Sequence, residues 1–252
     1  MWKFICQSVE GTSHKKTTLG CQDSSFAAAH GTNLILLVAD GAGSASLASD
    51  GSKLAIATGA ALIKSFFDSG KQAQEITSDI LRGWMSGIHA ILEHEAAARN
   101  TSSREMACTM LIAVVGESSA AFAQIGDGAI VILDEQTYRP VFWPATGEFH
   151  NTTYFVTEAE FEMNIQLETF NRPINELAMF SDGLEMLALN YSTKTAHAPF
   201  FAQLFRSLRA GNAEELAEPM RQFLDSKPIN DRTDDDKTLI LATRIPHAET
   251  TL

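Results

Sequence analysis

Three times in this chain an apolar run ends in aspartate followed by glycine. Leu36-Leu37-Val38-Ala39 leads into Asp40-Gly41, Phe122-Ala123-Gln124-Ile125-Gly126 into Asp127-Gly128, and Leu177-Ala178-Met179-Phe180-Ser181 into Asp182-Gly183. Each carboxylate would stand at the tip of a strand. Asp-Gly is also ordinary turn chemistry, and Asp127, with another strand directly behind it, reads equally well that way. Asp40 and Asp182 precede helical stretches, where aspartate also serves as a cap. Asp23, in Cys21-Gln22-Asp23-Ser24, and the run Asp234-Asp235-Asp236 ahead of the last strand add two further acidic sites. Carboxylates gathered at the ends of one sheet system repel one another unless cations lie between them, and oxygen-only ligand sets select hard dications such as magnesium or manganese. Two such ions side by side can bind a phosphate ester, acidify a water and stabilise in-line displacement.

Competing chemistries find less support. The loop Asp40-Gly41-Ala42-Gly43-Ser44-Ala45-Ser46 has serine where a dinucleotide fingerprint needs its third glycine, and the chain has no Gly-Lys-Ser/Thr of a P-loop. Cys6, Cys21 and Cys108 are odd in number and widely spaced, which argues against a disulfide framework and for a reducing compartment. Cys108 sits at the start of an apolar strand, where a thiol stays protonated. His89 and His94 are five apart, off a common helical face, and no His-Glu-x-x-His occurs. His14 stands apart from these, because Thr12-Ser13-His14-Lys15-Lys16 sets the only local cluster of positive groups shortly before Asp23.

The elements that must position these residues alternate in texture. Short apolar runs over roughly 2–10, 24–29 and 33–40 predict strands, the last of them continuous enough to be covered on both faces. Helical stretches follow over roughly 45–67 and 73–98, the second with a stripe of Ile76, Ile80, Trp84, Ile88 and Ile91. Strands are expected near 107–115, 119–126, 129–134, 138–143 and 177–180, with room for one or two more between Asn151 and Leu167. Helical spacing returns from Phe200 to Leu208 and from Leu216 to Phe223, before a final strand at Lys237–Ala242. Strands, two helices, many strands, two helices and a closing strand do not make a regular βαβ array. The pattern predicts an α+β fold, a mostly antiparallel two-sheet core with helices outside.

The chain has 252 residues with no linker or repeat to divide it, so one domain over 1–252 is expected. Its formal charge of −12 disfavours nucleic-acid binding. No apolar run is long enough to cross a bilayer, and the start of the chain lacks the apolar stretch of a secretory signal, so a cytoplasmic protein off the membrane is expected.

In their order, these motifs resemble the metal-dependent serine/threonine protein phosphatases of type 2C, the PPM family, from about Gly11 to Ala242. The resemblance rests on Val38-Ala39-Asp40-Gly41-Ala42-Gly43, Ala107-Cys108-Thr109, Ile125-Gly126-Asp127, Phe180-Ser181-Asp182-Gly183-Leu184 and Asp235-Asp236-Lys237-Thr238-Leu239. Gly11-Thr12-Ser13-His14, Cys21-Gln22-Asp23 and Gly147-Glu148-Phe149-His150-Asn151-Thr152-Thr153 are similar to a compact bacterial branch. The resemblance implies a four-layer αββα sandwich of two mostly antiparallel sheets, with two Mn2+ or Mg2+ ions at one end. By motif position Asp40 would bridge both ions, the Gly41 carbonyl would bind one, Asp182 and Asp235 would hold the other, and Asp23 would orient metal-bound water. A bridging hydroxide would then attack phosphoserine or phosphothreonine directly. The implied substrates are phosphoproteins, products of a Hanks-type kinase among them.

The chain departs from the family pattern at several points. Gln22 stands where the family usually has Glu, and Thr18 where an arginine grips phosphate, leaving His14, Lys15 or Lys16 to take over that charge. Met186, four residues after Asp182, replaces an acid of a third metal position, so Asp127 would hold at most a weak third ion. Ala42 leaves no side-chain acid after Asp40-Gly41, and metal-bound water or His14 would protonate the leaving group. These departures keep a second reading open, a catalytically impaired domain that binds phosphoprotein or a partner. A small-molecule phosphatase is a third.

Overall fold

Apolar runs of five to eight residues cannot leave their backbone polar groups unpaired in a core, and here they pair as antiparallel ladders. A computed structural model describes residues 1–144 and 153–245. The chain opens with β1 (Trp2–Val9), α1 (Thr12–Thr17), β2 (Ser24–His30) and β3 (Asn33–Ala39), then the long helices α2 (Ala48–Asp68) and α3 (Ser78–Ala98). Next come β4 (Met110–Val115), β5 (Ala120–Ile125), β6 (Ala129–Asp134), β7 (Thr137–Pro140), β8 (Gln166–Phe170) and β9 (Glu176–Phe180). The remainder is α4 (Glu185–Ala188), the small hairpin β10 (Leu189–Asn190) and β11 (Thr195–Ala196), α5 (Ala198–Ala210), α6 (Ala213–Leu224), α7 (Lys227–Asn230) and β12 (Lys237–Arg244).

One five-stranded sheet has the order β1-β12-β9-β6-β7 and the other β2-β3-β4-β5-β8, each antiparallel throughout. Side chains alternate across each strand, so each sheet feeds two cores. Leu34, Leu36 and Val38 meet Ile130, Met179 and Ile240 between the sheets. Ile35 and Leu37 face Ile63, Trp84 and Ile88 of α2 and α3. On the far side Phe180, Leu239 and Leu241 pack on Phe201, Phe205 and Leu224 of α5 and α6. Helices, sheet, sheet and helices form the four layers that the motifs implied, and β3 is buried on both faces as its continuous apolar run predicts.

Two expectations need correction. The helix expected over 73–98 is a 3-10 turn at Ala73–Glu75 followed by a separate α3, which Thr77 caps by accepting the Ile80 N–H at 3.4 Å. Its buried stripe is Leu81, Trp84, Met85, Ile88 and Leu92, while Ile76 precedes it and Ile91 is 42% exposed. The stretch 153–165 holds turns and a 3-10 turn at Phe161–Met163 rather than strands, with β8 starting only at Gln166. Asn151 and Thr152, and most of the Gly147–Thr153 motif, lie outside the described residues.

Candidate active site

The repeated Asp-Gly has a steric reason other than a turn. Gly41, Gly128 and Gly183 all avoid the left-handed backbone region. A Cβ on them would lie 2.8 Å from the Ala48 carbonyl oxygen, 2.7 Å from that of Phe180 and 2.0 Å from that of Asp236. Each glycine lets two backbones close up directly behind a carboxylate.

Asp40 leaves the end of β3, and Thr109 fixes it from both sides. The Asp40 N–H donates to Thr109 Oγ1 at 3.0 Å, and the Thr109 N–H donates to the Asp40 carbonyl at 2.8 Å. Asp182 follows β9 and opens a 3-10 turn. Asp235 precedes β12, the partner of β9 in the same sheet. The sheets thus deliver Asp40, Gly41, Asp127, Asp182 and Asp235 to one cleft of about 220 Å³, together with His14, Thr109, Thr153 and Phe155. Asp23 sits behind rather than in the cleft, buried, with Oδ2 accepting the Ser181 hydroxyl at 2.7 Å. Ser181 in turn accepts the Thr238 N–H at 3.0 Å, so Asp23 is tied to the strands that carry Asp182 and Asp235.

Electrostatics mark this cluster as incomplete by itself. Burial, then the charges of Asp23, Asp182 and Asp235, hold the Asp40 carboxyl well above its ordinary value. Asp182 is pushed up to about 8 by burial and by Asp127 and Asp235, and Asp23 to about 6 chiefly by burial. Burial also raises Asp127, against the opposing hydrogen bond from the Thr153 hydroxyl. Asp182 Oδ1 and Asp23 Oδ1 are buried without a partner. Among the described residues no three His, Cys, Asp or Glu side chains are grouped so that they alone could hold a metal ion. A hard dication needs no such group, since it keeps several waters and takes one or two carboxylates. The mutually repelling carboxylates of Asp40 and Asp182, the unpartnered Asp182 Oδ1 and the adjacent Gly41 carbonyl are a donor set that fits such ions.

His14 reaches the cleft, but Lys15 does not. Lys15 Nζ pairs with Asp225 at 2.6 Å, which corrects the expectation that it acts at the site. Thr18 caps the C-terminal end of α1 in the left-handed region, its hydroxyl on the Thr17 carbonyl, and supplies no charge. Among the described residues lining the cleft, His14 is the only basic side chain. Asp236 is the residue that sequence reasoning passed over. It is 2% exposed and accepts the Gly11 N–H at 2.6 Å and the Gln22 N–H at 2.5 Å. His14 Nδ1 lies 3.0 Å from its Oδ2. The run of three aspartates was visible, but nothing local distinguishes one that faces a cleft from one that clamps a backbone. Gln22 itself is buried, with Oε1 unpartnered.

A profile of the family described as Protein phosphatase 2C matches residues 10–225. The chain belongs to the protein phosphatase 2C family. "Serine/threonine-protein phosphatase 3" of Escherichia coli (strain K12) is 34% identical over 250 residues, 96% of this chain and 98% of that protein. A serine/threonine phosphatase from Staphylococcus aureus superposes with a TM-score of 0.66 at 18% identity, over 98% of this chain and 96% of that one. The catalytic domain of the phosphatase PstP, solved in complex with two manganese ions, gives 0.64 at 15% identity over 97% and 99%. At these identities the solved structures share the 2C fold. The charge cluster lies at the sheet ends of that fold, and its Asp40, Gly41, Asp127 and Asp182 fall within the matched stretch while Asp235 lies just beyond it. No described helix is long and apolar enough to cross a membrane.

Proposed function

We propose that this chain is one catalytic domain that removes phosphate from phosphoserine and phosphothreonine in proteins, with Asp40, Gly41, Asp182 and Asp235 as the ligands of two Mn2+ or Mg2+ ions. The observation that carries the reading is the convergence of the half-buried, mutually repelling carboxylates of Asp40 and Asp182, with Asp235 beside them, on one cleft. Divalent cations bound there would offset that repulsion, lower the pKa of a water and stabilise charge on the phosphate oxygens. The chain's own residues do the rest. Thr109 holds the Asp40 backbone through two hydrogen bonds, and Asp23, anchored on Ser181, backs Asp40 from beneath. His14, beside Asp236, is placed to hand a proton to the departing serine or threonine oxygen. Asp127, bonded by Thr153, is a weaker acidic position at the same mouth. Three free cysteines support a cytoplasmic location, and kinase-made phosphoproteins are the substrate class in keeping with the family.

The test is hydrolysis of a phosphothreonine peptide with manganese, with magnesium or with EDTA, for wild type and Asp40→Asn. We expect activity only with metal, and a loss of about 10²–10³ in the variant. A folded wild type inactive with either metal would sink the reading, as would activity that persists in EDTA.

A further inference from the structure

A groove of about 430 Å³ lies between α4, α5 and the start of α7, lined in part by Met186, Leu187, Phe200, Phe223, Ile229 and Arg232. Two of its lining residues follow or precede cleft aspartates by a few positions along the chain. Met186 is four residues on from Asp182, and Arg232 is three residues before Asp235. An extended peptide covers about 3.3 Å per residue, so a chain with one residue in the cleft and its neighbours in the groove need extend by only a few positions.

The groove has a mixed chemistry. The rings of Phe200 and Phe223 lie 6.3 Å apart, and Met186 is 70% exposed. An exposed methionine beside aromatic rings is an adaptable apolar seat. At the rim, Arg232 gives one N–H to the Pro228 carbonyl at 2.7 Å. The adjacent Asp231 is already taken by Lys227 at 2.7 and 2.8 Å, so no described carboxylate pairs with Arg232. In a chain of net charge −12, a guanidinium without an acid of its own is a local attraction for a carboxylate brought by another molecule.

We propose that this groove seats the residues flanking the phosphorylated one in a phosphoprotein substrate, an apolar side chain against Phe200 and Phe223 and a carboxylate on Arg232. This rests on the phosphatase reading and gives it a sequence preference. The catalytic cleft removes the phosphate, and the groove selects which phosphoproteins present it.

The experiment compares kcat/KM on four matched phosphothreonine peptides that combine Leu or Gly with Glu or Lys within four positions of the phosphothreonine. p-Nitrophenyl phosphate with manganese serves as the groove-independent substrate, and wild type, Arg232→Glu and Met186→Ser are compared. Both substituted side chains are exposed, so the fold is retained. Wild type should favour the Leu and Glu peptide over the Gly and Lys peptide by about fivefold. Arg232→Glu should reverse the choice of Glu over Lys, Met186→Ser should erase the choice of Leu over Gly, and p-nitrophenyl phosphate should change by less than about twofold in both. A wild type that hydrolyses p-nitrophenyl phosphate without discriminating the peptides, or variants that keep its preference, overturn the groove and leave the phosphatase reading intact. A wild type inactive on every substrate brings down both. A wild-type dimer that Met186→Ser or Arg232→Glu converts to monomer assigns the groove to a second copy of the chain and overturns the proposal.

Discussion

His14 is the residue on which the chemistry can be divided most cleanly. A proton donor matters when the departing oxygen is strongly basic, as in threonine, and little when it is a nitrophenolate. His14→Gln should lower kcat/KM on a phosphothreonine peptide by about a hundredfold and change p-nitrophenyl phosphate hydrolysis by less than about threefold. Equal losses on the two substrates would remove His14 from proton donation. Asp236 beside it accepts two buried N–H groups. Asp236→Ala, which leaves both unsatisfied, should destabilise the protein by about 2–4 kcal/mol in denaturant titration. A cost under about 0.5 kcal/mol would show that water takes over both bonds. At this scale the sequence spoke clearly where a motif carried the residue, as for Asp40 and Asp182. It was silent for Asp236 and misleading for Lys15. Both outcomes depend on contacts more than two hundred positions away, on Gly11 and Gln22 for the one and on Asp225 for the other.

Among the elements, the long strands were legible because their apolar runs are continuous and buried on both faces, as in β3, β4 and β5. The short ones were not. The hairpin of β10 and β11 has two residues a side, and α1 has no buried residue, so neither leaves a hydrophobic pattern to read. The boundary of α3 was hidden because Ile76 continues the helical spacing while belonging to the turn before it. The glycines after the aspartates are the strongest element-level constraint. Gly183→Ala would drive a Cβ to 2.0 Å from the Asp236 carbonyl oxygen, with no flexible side chain to yield. It should lower stability by about 1–3 kcal/mol and spread β9 from the lead-in to β12, so that manganese affinity falls with it. A variant with unchanged denaturation midpoint and metal affinity would show that the close approach is not required.

For the whole molecule, the buried carboxylates couple stability to pH and to metal. Without metal, Asp182 titrates near about 8 in the folded chain against 3.8 in the unfolded one, and Asp40 and Asp23 shift the same way. Between those values the folded state holds protons that the unfolded state has released, so its stability is greatest at the acid end and falls as pH rises. The melting temperature in EDTA should therefore decline from about pH 5 to about pH 8, and manganese should restore most at the upper end. Asp182→Asn should flatten the slope. A metal-free melting temperature that climbs over the same range would contradict the raised values.

The first strand carries a different consequence. β1 lies at the edge of its sheet and is paired with β12 alone, from Trp2 against Arg244 to Val9 against Lys237. β12 leaves the ribosome more than two hundred residues after β1. Until Lys237–Arg244 has been made, Trp2–Val9 lacks the strand it pairs with, and until Asp236 has been made nothing fastens the N–H groups of Gly11 and Gln22 in this way. A growing chain that stops short of Asp236 therefore holds neither the β1–β12 ladder nor the carboxylate that clamps Gly11 and Gln22 behind the cleft.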